Sequence, residues 1–308
     1  MSSTTSPTSP STTAEATSAV AAPAAVVDDS TAALTAQVSR DARRSVLIAL
    51  GRSVMTFALT LVAVLVLWVG LLAVLQVSPM IAKGPVDVWN FLMTVPAAQA
   101  NRDLIAGNLA VTLGHSAVGF VAGLLAAIVV ALSFQLSRGT EHALMPAAML
   151  LRSVPLIAMA PVIVMIFGRG TAAVAVIGGI VVLFPALVTI SFGLKSAAGH
   201  MNDLVAVYGG GTVSTLRHVA VPSSLPAFFA AVRISVPGAI TGALLAEWLA
   251  VGTGIGGSIG GFVPQAQFSA LWASVVAVTA VSLVLYNLVQ IAENVTLARM
   301  GMTPQKGL

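Results

Sequence analysis

Four long stretches of this chain carry no charged residue, and they limit the folds that it can adopt. Between Arg52 and Lys83 there are 30 consecutive uncharged residues, and between Asp103 and Arg138 there are 34. Two more stretches, of 25 and 45 residues, lie farther along the chain. A helix needs about 20 apolar residues to cross a bilayer, where only helices and closed barrels satisfy their backbone groups. Because the apolar residues are continuous and do not alternate with polar ones, the pattern predicts membrane-spanning helices.

The charged residues are few and scattered. They make up 8% of the 308 residues, against about 25% in a typical soluble domain. The net charge of +4 does not indicate nucleic-acid binding, because the lysines and arginines form no patch with interleaved aromatic residues. The chain has no cysteine, which excludes disulfides and cysteine metal sites. We expect no nucleic-acid partner, no bound metal and no catalytic site.

The sequence predicts an all-α integral membrane protein with six transmembrane helices. Residues 1–45 are rich in Ser, Thr, Ala and Pro and are expected to form a disordered tail, and residues 46–308 to form the membrane domain. The third helix contains Pro146, Pro155 and Pro161, each of which must break or kink it. The six predicted spans are residues 53–76, 107–133, 143–168, 171–194, 225–249 and 268–292.

The basic residues predict which side of the membrane each connection occupies. With the N-terminus inside, the outer segments hold only Lys83, Arg102 and Arg169, and Arg152 falls in the third span. This excess on the inner side follows the positive-inside rule, so both termini are expected in the cytoplasm. The ten inner basic residues are Arg40, Arg43, Arg44, Arg52, Arg138, Lys195, Arg217, Arg233, Arg299 and Lys306.

Two polar residues inside predicted spans are candidates for a function. Glu247 is the only acid well inside a span, and its two interpretations are a functional ionisable group or a structural carboxyl group hydrogen-bonded at the span end. The structural interpretation is favoured. His115 lies near the outer end of the second span, and its sequence neighbours supply no second metal ligand, which favours a packing role.

Three glycine motifs can be interpreted from the residues around them. Gly252–Gly257 has G-x-G-x-x-G spacing, but a membrane span precedes it and no acid follows at the distance that a dinucleotide site needs, so we expect a flexible outer loop. The Gly209–Thr212 stretch lacks the lysine of a phosphate loop, which implies that any ATP chemistry belongs to a partner. Gly119 and Gly123 form a small-xxx-small pattern that would let two helices approach closely.

The polar stretch between the fourth and fifth spans, within residues 196–224, has a distinctive spacing. Asp203, Leu204 and Val205 are followed after three residues by Gly209 and, after nine more, by Val219-x-Val221-Pro222. A short helix is expected to end at Gly209, since glycine accepts the left-handed conformation of a helix C-terminus. A second helix is expected from Thr212 toward Val221, ending at Pro222. Such a helix-turn-helix with little charge is suited to dock in the groove of a partner.

This spacing resembles the cytoplasmic motif Glu-Ala-Ala-x3-Gly-x9-Ile-x-Leu-Pro of ABC-importer permeases. Residues 108–296 further resemble the nitrate, sulfonate and taurine subfamily, most specifically at Glu247–Gly256 and in a pattern that includes Arg152, Pro155 and Pro161. The chain departs from the family at Asp203, Leu204 and Val205, which replace Glu-Ala-Ala, and at His115, where the family often has arginine. Alanine at Gly210 or Gly211, outside the motif, is expected to be milder than a change at Gly209.

The resemblance implies a type I permease fold in a bacterial inner membrane. It also implies a second permease copy, two ATPase subunits and an extracytoplasmic binding protein, with ATP bound by the partner subunits and no cofactor on this chain. The residues Asp203 to Pro222 of the motif would receive the motion of the ATPases. Arg152, Pro155, Pro161 and Glu247 would serve the pathway or its structure. An ion-coupled secondary carrier and a membrane scaffold are the alternatives, and the sequence does not name the cargo.

Overall fold

All regular structure in the described residues is helical. The computed structural model describes Met55 and residues 59–196 and 199–300, with the side chains of residues 138, 151, 199, 200, 202 and 203 left out. The expected tail at residues 1–45 lies outside these residues. The helices are α1 Leu59–Leu75, α2 Pro85–Trp89, α3 Ala98–Leu136, α4 Arg138–Ser153, α5 Leu156–Phe167, α6 Thr171–Lys195, α7 Gly199–Val207, α8 Thr212–Thr215, α9 Val221–Ser223, α10 Leu225–Ala246, α11 Gly254–Phe262 and α12 Phe268–Arg299.

Three π-helical turns extend some of these helices. They cover Asn90–Thr94 after α2, Leu216–Ala220 between α8 and α9, and Glu247–Val251 at the end of α10. The chain divides into two compact units, residues 1–71 and 72–308. Apart from Met55, the described residues of the first unit are 59–71, and they belong to α1. All contacts given below lie within the second unit.

Four helices of the described residues are long and apolar enough to cross a membrane. They are α3, α6, the α10 helix with its π-helical turn, and α12. Two shorter apolar helices, α1 and α5, lie where the first and third spans were predicted. At 1.5 Å per residue, the 39 residues of α3 extend about 58 Å, well beyond the hydrocarbon thickness. This helix therefore reaches past the bilayer at one or both ends.

The third span is not one continuous helix. The expected break is confirmed at Pro155, because α4 ends at Ser153 and α5 begins at Leu156. The break falls at Val154 and Pro155, since a proline disfavours helical geometry in the residue before it. Pro146 and Pro161, by contrast, lie inside α4 and α5 and do not end either helix.

The core of the bundle is a three-helix contact made by glycines. An added Cβ at Gly119 of α3 would lie 2.9 Å from Gly178 Cα in α6, and one at Gly242 of α10 would lie 2.8 Å from the same atom. Gly123 packs in the same way against Gly179 and Val182 of α6. The expected close packing at Gly119 and Gly123 is confirmed, and its partners are the glycines of α6. Absent side chains let the three backbones meet directly.

A buried ion pair joins α10 to α12. Arg233 Nη1 lies 3.1 Å from Glu293 Oε2, both side chains are largely buried, and the guanidinium lies over the Tyr286 ring. Arg233 is one of the basic residues assigned to the inner side, and the structure shows that its side chain is buried and paired. Its charge is neutralised within the bundle, because burying an unpaired charge would be costly.

Candidate functional site

Helix α7 ends in the left-handed turn that the spacing predicts. Gly209 has φ +77°, and no atom lies within 4 Å of the position that its Cβ would take. The Gly209 N–H donates to the Ala206 carbonyl (3.0 Å), and the Gly210 N–H donates to the Val205 carbonyl (2.9 Å). These two bonds form a Schellman motif, which satisfies the last carbonyls of the helix. The prediction of a positive φ at Gly209 is confirmed.

The second half of the helix-turn-helix continues past the predicted end. It starts at Thr212, passes through the π-helical turn Leu216–Ala220 and runs on through α9 to Ser223. Pro222 therefore does not stop it. The π-helical turn places Pro222 in the first turn of α9, where the missing N–H of proline is tolerated. The Ser223 hydroxyl donates to the Val219 carbonyl (2.7 Å) and so satisfies a backbone group at this junction.

The helix-turn-helix has an inner and an outer face. Val219 and Ala220 belong to a buried cluster with Phe134 near the end of α3 and with Leu187 and Leu194 in the second half of α6, and Val205 packs on the same cluster. These contacts hold the segment on the bundle. Leu204 and Val221 of the sequence motif and Pro222 are exposed, and the side chain of Asp203 is outside the described ones. Some residues of the motif therefore hold the segment on the bundle, and the others face outward.

The outer face carries large apolar side chains. Val207 is 83% exposed and Tyr208 is 84% exposed at the tip between the two helices, with Val213 beside them on α8. Leu204, Val207 and Tyr208 have the i, i+3, i+4 spacing of one helix face. The sequence motif does not include Val207, Tyr208 and Val213, although the helical periodicity marks the first two. An exposed apolar patch at a loop tip is typical of a protein contact.

A cavity of about 940 Å³ lies between the helix-turn-helix and the adjacent helix ends. Its wall includes the last residues of α3, Glu141 and His142 of α4, Lys195 at the end of α6, and residues 210–212. Lys195 Nζ donates to Glu141 Oε1 and so ties α6 to α4. The helix-turn-helix is therefore supported from one side and open to a partner on the other.

Glu247 is the centre of a buried hydrogen-bond network. Its side chain is 0% exposed, and Oε2 accepts the Thr112 hydroxyl (2.9 Å) and the Gly256 N–H (2.9 Å). Oε1 lies 2.8 Å from His115 Nδ1. Thr112 Oγ1 also accepts the Ile255 N–H (2.8 Å). The network joins α3, the end of α10 and the start of α11, as expected for a structural carboxyl group at a span end. His115 pairs with Glu247 across 132 residues.

The Gly252–Gly257 segment encloses this carboxyl group and is not the flexible loop that we expected. Gly254, Ile255 and Gly256 are buried, and α11 begins at Gly254. A Cβ at Gly254 would collide with the Glu247 carboxyl group, and one at Gly256 would lie 2.9 Å from Glu247 Cβ. The glycines are there for close approach as well as for the positive φ of Gly252 and Gly254. The described residues include no strand, which the dinucleotide-binding interpretation would require.

The other residues considered from the sequence lie elsewhere. Arg152 is exposed in the last turn of α4, and Pro155 precedes α5 at the break. Pro161 is exposed on α5, whose Ala160 and Ile163 pack on α6 and on the turn after Glu247. In the described residues, no hydrogen bond or ion pair joins Arg152, Pro155 or Pro161 to the Glu247 network. Their role in a pathway stays a prediction.

Residues 119–296, more than half of the chain, match the family described as binding-protein-dependent transport system inner membrane component. The matched range contains the helix-turn-helix and Glu247. It begins within α3 and ends within α12.

Curated relatives include several transport permeases. The chain is 28% identical over 164 residues to a probable ABC transporter permease of Haemophilus influenzae, covering 48% of this chain and 67% of that protein. It is 25% identical to the formylaminopyrimidine transport permease ThiX of Halalkalibacterium halodurans, covering 52% and 62%. It is 26% identical to the putative aliphatic sulfonates transport permease SsuC of Escherichia coli, covering 42% and 49%. The chain thus spans about half to two thirds of the length of these relatives.

A solved structure has the same fold. The crystal structure of an amino acid ABC transporter with histidines superimposes with a TM-score of 0.50 at 16% identity, over 67% of this chain and 100% of that chain. The expected all-α, multi-pass membrane fold of an ABC permease is confirmed by this likeness, the family match and the long apolar helices.

Proposed function

The chain belongs to the family of binding-protein-dependent transport system inner membrane components, and we propose that it forms the translocation pathway of an ATP-driven importer. The observation that carries this proposal is the exposed apolar tip of the helix-turn-helix at Val207, Tyr208 and Val213. The helix-turn-helix that carries it lies at the end of the bundle where α3 and α6 end. ATP-driven closure of a partner ATPase would move this tip, and Val219 and Ala220 would transmit the motion to α3 and α6.

The partners follow from the same proposal. Two ATPase subunits would each hold one helix-turn-helix, and a second copy of this permease would complete the pathway. An extracytoplasmic binding protein would deliver the cargo. The named relatives concern aliphatic sulfonates and a formylaminopyrimidine, which supports a small polar solute, of the sulfonate, taurine or nitrate type or a related one, as the cargo of this chain. The chain itself would carry no ATP and catalyse no reaction.

Tyr208→Asp is expected to weaken retention of the ATPase subunits about tenfold or more. The phenol ring would fill a pocket of the ATPase, where buried aromatic residues dominate binding energies and a carboxylate would be unpaired. Since Tyr208 is almost fully exposed, the stability of the permease alone should change by no more than about 0.5 kcal/mol. The measurement is co-purification of the tagged permease with ATPase subunits, identified by mass spectrometry.

Val86→Asp is the matched control. Val86 is 70% exposed on α2, at the other end of the bundle, so this variant also places a new charge on an exposed apolar position. It should retain the ATPase subunits normally. Normal retention by Tyr208→Asp, or equal losses in both variants, would contradict the docking role of the tip.

We propose that the helix-turn-helix and both termini face the cytoplasm of a bacterial inner membrane. If Arg233 is left out of the count because it is paired with Glu293, nine basic residues remain on the inner side and three on the outer side. The chain has no cysteine, so single cysteines can be probed with an impermeant thiol reagent in intact cells. Gln265→Cys, on the exposed turn after α11, should be labelled, and Val213→Cys should not. Labelling of Val213→Cys but not of Gln265→Cys would show that the topology is the opposite of the one proposed.

The secondary-carrier alternative gains little support from the site. A carrier needs ion ligands within the membrane, and Glu247 already accepts hydrogen bonds from Thr112 and Gly256 and is paired with His115. In the described part of the chain, no three His, Asp or Glu side chains come together as a metal site would require. An importer driven from its cytoplasmic helix-turn-helix needs no such ligands.

A further inference from the structure

A second cavity lies at the opposite end of the second unit from the helix-turn-helix. It has a volume of about 460 Å³, and its wall includes Asn101 and Leu104 at the start of α3. The larger cavity touches the last residues of the same helix, roughly 50 Å away along its axis. A volume of this size is within the range of small-molecule sites.

One side of this cavity offers positive charge and hydrogen-bond donors. Lys83 lines it, and its Nζ donates one hydrogen bond to the Pro79 carbonyl (2.9 Å), which leaves two N–H groups. The side chains of Gln267 and Ser269 also line it, and neither makes a hydrogen bond within the described residues. The lining contains no carboxylate. The charge facing the cavity is therefore positive.

The acids nearest in sequence are engaged elsewhere. Asp87 Oδ2 accepts the Gly84 N–H (2.8 Å), and Asp103 Oδ1 accepts the Gln99 amide (3.0 Å). Neither residue lines the cavity. Lys83 has no ion pair in the described part of the chain, so its charge is available to an anion that enters the cavity.

The remaining wall is apolar and held in place. It is formed by Met80, Phe91, Leu104 and Phe268. Asn101 Nδ2 donates to the Phe91 carbonyl (2.8 Å), and Trp272 Nε1 donates to the Ile81 carbonyl (2.9 Å), which fixes the two segments that carry Met80 and Phe91. Ala266, also in the lining, has φ +55°, a conformation that costs energy for a residue with a side chain. The cavity is therefore built from constrained segments.

We propose that this cavity binds a small organic anion, with a carboxylate or sulfonate on Lys83 and a short apolar body against Phe91, Leu104 and Phe268. The two free N–H groups of Lys83 would make charge-assisted hydrogen bonds with the anion, and the Gln267 amide and Ser269 hydroxyl would add neutral ones. The apolar wall would distinguish such ligands from inorganic anions, which gain nothing from it.

The test is direct binding to the full chain in phosphatidylcholine nanodiscs, by isothermal calorimetry. Hexanesulfonate and hexanoate are the probes, and hexanol and hexylammonium are their uncharged and cationic counterparts. Both anions should bind, and the counterparts should bind at least about tenfold more weakly, since they lack the interaction with the ammonium group. Lys83→Gln should weaken anion binding about tenfold or more, and Lys83→Arg should restore most of it.

Arg169→Gln is the charge-matched control. Arg169 is exposed and does not line the cavity, so this variant should bind the anions as the unmodified chain does. Absence of anion binding, equal binding of hexanol, or full binding by Lys83→Gln would overturn the proposal. Leu104→Trp, which should fill the cavity without touching the charge, gives a second check: undiminished affinity would also overturn it. No ATPase or binding protein takes part, so these results are independent of the transport role.

Discussion

Glu247→Ala is expected to lower the free energy of unfolding by about 3–5 kcal/mol, enough to prevent normal accumulation of the protein. The substitution removes the acceptor of the Thr112 hydroxyl and the Gly256 N–H and leaves His115 without its partner. All three groups lie in a site from which water is largely excluded, because Glu247 is fully buried. Unpaired donors in such a site cost their full desolvation energy. The measurement is unfolding in mixed detergent micelles, together with protein levels in the membrane.

Glu141→Ala provides the matched comparison. Glu141 also pairs with a basic residue, Lys195, but this pair lies at a helix end where both side chains reach solvent. Exposed pairs contribute about 1 kcal/mol or less, so this variant should remain close to the original stability. Glu247→Gln should fall between the two, because the amide oxygen can still accept one of the N–H or O–H groups. Equal stabilities of Glu247→Ala and Glu141→Ala would mean that the network does not hold α3, α10 and α11 together.

Gly209→Val is expected to abolish stimulation of ATP hydrolysis by the loaded binding protein, while the permease still inserts and accumulates. Gly209 has φ +77°, and a β-branched residue in that conformation is strained by about 1–2 kcal/mol or more. The strain is relieved if α7 runs on past Val207, and that change would re-aim Tyr208. Space is not the obstacle, since nothing lies within 4 Å of the new Cβ. The measurement is ATPase activity of the reconstituted complex with and without loaded binding protein.

Gly211→Val isolates the effect of the conformation. Gly211 has φ −91° and ψ −177°, which valine adopts readily, and its Cβ position is also open. This variant should keep the stimulation. Gly210 is unsuitable as a control, and the expectation that alanine there would be mild is corrected: its Cβ would meet the Val205 side chain and lie 3.0 Å from the Val205 carbonyl oxygen. Full assembly and stimulation in Gly209→Val would remove the coupling role of this turn.

Local chemistry explains which features the sequence could predict. The spans follow from apolar length alone, and the turn at Gly209 follows from a rule that concerns a few adjacent residues. The sequence predicted a break in the third span but not its position. Three prolines were candidates for the break. Pro146 and Pro161 lie within helices, and only Pro155 lies between two of them. Which proline breaks a helix depends on what the freed carbonyl contacts, and that is tertiary information.

Long-range contacts explain what the sequence could not predict. Thr112 and His115 meet Glu247 across more than 130 residues, and no local pattern marks that encounter. The glycines at 252–257 were misread because glycine has two uses, freedom of the backbone and room for a neighbour. A single sequence does not separate them. The structure shows the second use, since the Glu247 carboxyl group occupies the space of the missing side chain.

The meeting of Gly119, Gly178 and Gly242 has a consequence for how the sequence can change over time. At an ordinary helix crossing, a larger residue on one helix can be offset by a smaller one opposite. Here each of the three positions already holds the smallest residue, and a Cβ added at Gly119 or at Gly242 would meet the backbone of Gly178. A substitution at any one of them has no second-site suppressor within the trio. These positions can therefore change only if the helices themselves move apart. As long as the helices stay in contact, all three positions must remain glycine.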